Sequence, residues 1–232
     1  MACGNMFQED PIKTIIVLIE INVIYNKNIN NKNSSFMNQN YLHVTNVSSL
    51  GNILAYLKKI KNPDDIIVFF DWDDTLVNPD HDNIIEPEIT KKLFDYMKDR
   101  QIFYAIITGR FHDTVCDDNK RNIFNMQYNI INTMYPSLNK LGIDTTSFKT
   151  DHLKQYPDKI YDEYGKCVGV LYMGIFFSGT KGAAIKNWLR QVEIKKKEII
   201  FIDDYDPYLY EVTTSLPDVT AFRRLVNYIP KT

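Results

Sequence analysis

Short apolar runs alternate along this chain with longer stretches in which apolar residues recur every three or four positions. Ile66–Phe70 (IIVFF) has no polar position, the pattern of a strand buried on both faces of a parallel sheet. Residues 102–107 read as another buried strand, 198–202 (EIIFI) reads as a strand, and 219–222 reads as a last short strand. Between these runs lie helical patterns. Leu50, Ile53, Leu54, Leu57 and Ile60 mark a helix within 48–61. Further helices are predicted over 89–100, 182–191 and 207–215, with a long helix or helix pair over 118–141. Residues 167–177 (CVGVLYMGIFF) are strand-like and suit a hairpin. Repeated strand–helix alternation predicts an α/β fold built on a doubly wound parallel sheet.

Upstream, residues 14–25 (TIIVLIEINVIY) are rich in β-branched side chains and read as a strand. The Asn-rich stretch 26–40 that follows is too polar to pack and reads as a linker. The expected organisation is an amino-terminal strand and linker over 1–41 and one main domain over 42–232. No internal repeat is visible.

Composition narrows the classes. The 232 residues are 44% hydrophobic and 24% charged, so most of the chain should fold. A net charge of -2 and a pI near 6.1 speak against a broad nucleic-acid-binding surface, while leaving room for a local basic groove. The apolar run at 15–25 is broken by Glu20 and Asn22, short of the ~20 apolar residues of a membrane span. Glu9 and Asp10 precede it where a signal peptide would be basic. Cys3, Cys116 and Cys167 are few, odd in number and scattered, without zinc-ligand spacing. They read as three ordinary thiols of a reducing, cytoplasmic protein with no membrane attachment.

In doubly wound sheets, ligands bind beyond the carboxyl ends of the strands. The reactive groups of this chain collect there. Asp71, Asp73 and Thr75 follow the apolar run 66–70 in the order D-x-D-x-T. Thr108, Gly109 and Arg110 follow 102–107, and Asp203-Asp204 follows 198–202. Lys181 stands at a helix start, where a cation opposes the helix dipole and calls for an anion nearby.

This ordered set, spread over about 66–215, resembles the four motifs of the haloacid dehalogenase (HAD) superfamily of phosphohydrolases. The resemblance implies a Rossmann-like core with Asp71 as covalent nucleophile, forming an aspartyl-phosphate. Asp73 would be the general acid and base, protonating the leaving oxygen and then activating water. Thr108 would donate to a phosphate oxygen, with Gly109 and Arg110 beside it. Lys181 would balance charge on the phosphoryl group and on Asp71. Metal contacts would come from the Asp71 carboxylate, the Asp73 carbonyl and Asp204, with Asp203 acting through water. Independently, carboxylates gathered in one cleft repel, and a hard divalent cation on oxygen ligands, Mg2+, relieves this. The chain departs from the pattern at Tyr208, where many relatives carry Asn. Asp206 or a backbone carbonyl would then take over the supporting role.

The segment between Asp71 and Thr108 is mostly one helix, which excludes a large cap there. The insertion between Lys181 and the second motif leaves room for a small flap at about 150–178. That layout resembles capless or minimally capped relatives, whose open sites often act on macromolecular phosphate esters such as phosphoproteins or nucleic-acid ends. The function expected is therefore a magnesium-dependent phosphomonoester hydrolase. The alternatives are a non-catalytic binding or assembly protein of the same fold, or a phosphotransferase. His43, His81 and His152 show no ligand spacing, Trp72 reads as packing, and Arg223-Arg224 reads as a solvated pair. Nothing in the pattern sets the oligomeric state.

Overall fold

The computed structural model describes residues 44–78, 83–111, 114–117, 119–147, 157–193 and 198–225. The chain divides into two compact units, 1–42 and 43–232. The strand expected at 14–25, its Asn-rich linker, Cys3 and all four histidines lie outside the described residues.

The second unit runs β1 (Val44–Val47), α1 (Leu50–Leu57), β2 (Ile66–Phe70), β3 (Val77–Asn78), β4 (Asn83–Ile84), α2 (Pro87–Asp99) and β5 (Phe103–Thr108). There follow α3 (Lys120–Asn129), a π-helical segment (Ile130–Met134), α4 (Tyr135–Asn139), β6 (Asp158–Tyr161), β7 (Cys167–Tyr172) and β8 (Ile175–Phe177). The last elements are α5 (Lys181–Gln191), β9 (Glu198–Asp203), α6 (Asp206–Ser215) and β10 (Val219–Arg224). An eight-stranded sheet has the order β1-β10-β9-β2-β5-β8-β7-β6. It is parallel from β1 to β8 and closes with two antiparallel pairings, β8–β7 and β7–β6.

Strand alternation sends successive side chains of β2 to opposite faces. Val68 and Phe70 join a core with Leu50, Leu93, Met97 and Met126. Ile67 and Phe69 join another with Ala184, Trp188, Leu209 and Val212. Helices therefore cover both faces, which is why IIVFF carries no polar position: all its residues are buried. Local chemistry ends the elements. Ser49 caps α1 by accepting from Gly51 N–H (3.0 Å), and the Asn52 side chain accepts in return from Ser49 N–H (3.2 Å). Asn119 caps α3 by accepting from Arg121 N–H at 2.9 Å.

The long helix or helix pair expected over 118–141 is found as one helical run, α3 to α4, with the π segment inside it. Other expectations change. The segment expected as a flap places β6, β7 and β8 in the main sheet over 158–177. Cys116 and Cys167 are not free thiols. They form a disulfide with Cα atoms 5.9 Å apart, across a separation of 51 residues. Such a bond argues against the reducing compartment expected from cysteine spacing. Arg223 and Arg224 are not a solvated pair either. Alternation in β10 sends Arg223 to Asp206 and buries Arg224, which donates to Glu86 at 3.2 Å. Among the described residues, no helix is long and apolar enough to cross a membrane.

Candidate functional site

β9, β2 and β5 are adjacent and parallel, so the groups at their carboxyl ends share one end of the sheet. Asp71 directly follows β2, and its N–H continues the ladder by donating to Ile202 O at 2.9 Å. Thr108 and Asp203 are the last residues of β5 and β9. Beyond Asp71 the chain turns sharply. Asp74 takes a φ of 57° and donates its N–H to Val77 O at 2.8 Å, while Leu76 and Val77 both donate to Trp72 O at 3.0 Å. This turn drives Trp72 into the core, where it is fully buried, and carries Asp73 to the mouth of the site.

Lys181, the first residue of α5, is fully buried. It donates to Asp71 Oδ1 and, at 2.7 Å, to Asp203 Oδ2. Its ammonium also lies 4.2 Å from the centre of the Tyr208 ring. The unfavourable placement of a cation at a helix start is thus offset by two carboxylates. A third carboxylate serves the helix itself. Glu211 of α6 accepts from Gly182 N–H (2.6 Å) and Ala183 N–H (3.0 Å). The two helices meet so closely that a Cβ on Gly182 would stand 2.8 Å from Val212 Cα, which explains glycine there.

Asp71, Asp203 and Asp204 each offer an oxygen, all within 4.8 Å of one another, and this cluster could hold a metal ion. Its electrostatics favour one. Burial pushes the Asp71 carboxyl up to about 7; Lys181 pulls it back, and Asp203 and Asp73 push it further. Burial also raises Asp204 to about 7, with the Asp71 and Asp74 charges adding to it. Asp203 is raised by burial against the pull of Lys181. Burial alone would lower Lys181, but Asp71 and Asp203 outweigh it and hold its ammonium charged. Three carboxylates around one lysine leave surplus negative charge, which a cation on these all-oxygen donors would offset. Asp203 and Asp204 both border the open cavity; Asp203 is fully buried and also accepts from Tyr205 N–H at 2.8 Å, whereas Asp204 is partly exposed.

That cavity encloses about 380 Å³, bordered by Asp71, Asp73, Arg110, Asp204, Tyr205 and Tyr208 among others. Thr108 and Lys181 are fully buried and do not line it. The Thr108 hydroxyl accepts from Arg110 N–H at 3.1 Å. The Asp73 carboxylate is outside the three-carboxylate cluster. It is gripped by Arg110, whose Nε reaches Oδ2 at 2.9 Å and whose Nη2 reaches Oδ1 at 2.5 Å. Arg110 Nη1 donates in turn to Asn129 Oδ1 at 3.1 Å, from the turn of α3 that enters the π segment.

Asp206, expected as a stand-in for the asparagine of the resembled pattern, is instead drawn away to Arg223. Tyr208 itself stands over Lys181, and burial pushes its phenol up from the ordinary tyrosine value. Sequence reading marked Tyr208 only as a departure from the resembled pattern, and missed Asn129, Glu211 and Tyr205 as parts of the site. The first two come from helices distant in sequence and carry no local signal; Tyr205 directly follows Asp203-Asp204 and could have been suspected from that position. A search with the chain finds no matching family model, and no match among curated proteins or solved structures.

Proposed function

We propose that this chain is a magnesium-dependent phosphomonoester hydrolase of the HAD type, with Asp71 as nucleophile. The observation that carries the reading is the meeting of Asp71, Asp203, Asp204 and Lys181 beyond adjacent parallel strands. One lysine does not balance three carboxylates, so the site is built to receive positive charge and, with it, a dianionic ester.

Asp71, Asp204 and the Asp73 carbonyl would hold the ion, with Asp203 behind them. When bound, Mg2+ lowers the carboxylate pKa values and neutralises charge on the phosphate. In the reaction, Asp71 attacks phosphorus as the ester P–O bond breaks. Asp73, having taken up a proton from solvent once freed from Arg110, gives it to the departing oxygen, leaving an aspartyl-phosphate on Asp71. Asp73 then removes a proton from water, which attacks phosphorus and releases phosphate and the Asp71 carboxylate. Lys181 keeps Asp71 oriented and ionised between attacks.

Arg110 has a place in this sequence. It holds Asp73 before substrate arrives. A phosphate entering the cavity offers the guanidinium a competing anion and releases Asp73 for proton transfer. The cavity opens to solvent beside this pair, which suits an ester whose bulk stays outside, such as a phosphoprotein or a nucleic-acid end.

The test is a panel of phosphomonoesters assayed with and without magnesium, alongside thermal melts. Magnesium should raise the melting temperature, because it binds the folded cluster and not the unfolded chain, and Asp204→Asn should weaken that shift. Absence of both turnover and a magnesium-dependent shift at millimolar metal would sink the reading in favour of a non-catalytic binding protein. Transfer of phosphate to an added alcohol in preference to water would mark a phosphotransferase instead.

A further inference from the structure

Tyr208 occupies a position in the first turn of α6 from which it touches both halves of the site. Its ring face lies 4.2 Å from the Lys181 ammonium. That ammonium has three N–H groups. Two point to Asp71 and Asp203, and the ring is the next electron-rich surface within reach. The Tyr205 ring packs edge-on against Tyr208 with centres 5.3 Å apart, which holds the phenol upright.

The hydroxyl end reaches the opposite wall. A Cβ built on Gly109 would overlap the Tyr208 hydroxyl oxygen and stand 3.0 Å from the ring carbon that bears it. The phenol therefore lies directly against the backbone that follows Thr108, inside the cavity bordered by Asp71 and Arg110. This hydroxyl makes no hydrogen bond to a described residue, although the Thr108 hydroxyl, Lys181 and Arg110 are all engaged. A hydrogen-bond donor left without a partner next to a nucleophile and a backbone turn is placed for an anionic oxygen.

We infer that Tyr208 is a phosphate-binding residue of this site: its hydroxyl donates to a phosphate oxygen while its ring holds Lys181 against Asp71. This rests on the hydrolase reading above and adds a residue to it. It also explains two sequence features at once. Position 109 is glycine because the phenol fills the space a side chain would need. Position 208 is tyrosine because it supplies a donor and a cation-binding face together.

The experiment measures inorganic phosphate binding to the full-length chain in millimolar magnesium by titration calorimetry, with p-nitrophenyl phosphate kinetics alongside. Tyr208→Phe keeps the ring over Lys181 and removes only the hydroxyl. A hydrogen bond to a charged group corresponds to roughly 10- to 100-fold in affinity, so phosphate should bind weaker by at least about 10-fold. Tyr208→Leu removes the ring as well. It should lower kcat beyond the effect of Phe and reduce the ring-current shift of the Lys181 side-chain resonances to what the Phe201 ring, 6.0 Å away, still supplies, whereas Phe preserves it. Gly109→Ala should be better tolerated when combined with Tyr208→Phe than alone. If wild type binds phosphate and Tyr208→Phe binds it equally well, the tyrosine role is overturned and the hydrolase reading survives. If wild type with magnesium binds no phosphate at all, both are overturned.

Discussion

Two cations pair with acidic groups of this site, and the pairings differ in their access to water. Lys181 lies between Asp71 and Asp203 with no exposed side-chain surface, and Asp203 has none either. Arg110 and Asp73 keep 19% and 32% of their side-chain surface exposed. Breaking the first leaves a buried charge unpaired, which is strongly unfavourable. The second can be exchanged for water or another anion at small expense in free energy. The back of the site is therefore a fixed frame for Asp71. The front is a movable contact that a ligand can open.

The difference between the two pairs sets a ranking of effects. Asp71→Asn should abolish turnover while the fold survives, because the amide is nearly isosteric but a far poorer nucleophile. Measurable turnover by a purified, folded variant would refute covalent catalysis at Asp71. At the mouth, Asp73→Asn should lower kcat by roughly 10²–10⁴-fold, the usual contribution of a general acid or base. Rapid quench with an activated ester should trap phosphate on Asp71 in this variant and never in Asp71→Asn. Equal trapping in both would place the nucleophile elsewhere.

Stability should separate the two cations. Lys181→Met should destabilise the fold by about 3–5 kcal/mol in urea denaturation, since Asp71 and Asp203 are left facing each other without a cation. Added magnesium should recover more stability in this variant than in wild type. Arg110→Gln should change stability by less than about 1 kcal/mol, with the loss shrinking further as salt is raised. Its effect should show instead as a higher KM. A large, salt-independent destabilisation in Arg110→Gln would erase the distinction between frame and mouth.

The central strands are legible in the residues alone because nothing polar interrupts them and acids or a threonine end them. β2, β5 and β9 are of this kind, and they form the middle of the sheet. The edges are not legible in the same way. β1 (VTNV) and β6 (DKIY) are short and half polar, and they stand at the two ends of the strand order. An edge strand needs only one partner and can face water, so its sequence carries little of the apolar signal that marks a buried strand. Arg224 reads as solvated for a related reason. Its burial depends on β10 extending that far, and only the pairing of Val47 with Arg224 shows that it does.

The order of chemistry along the chain is written in the residues themselves: which strands are buried, and which polar groups stand at their ends. Those are local properties, set by residue type and spacing over a few positions. The partners are set by packing alone. Arg110 meets Asp73 across 37 residues, Lys181 meets Asp71 across 110, and Cys116 meets Cys167 across 51. Packing also turns Asp73 to the mouth and buries Lys181 beneath Asp71 and Asp203. Such pairings follow from how strands are ordered in the sheet and how closely helices approach it. Contacts between distant segments depend on that arrangement, and no short stretch of residues encodes it.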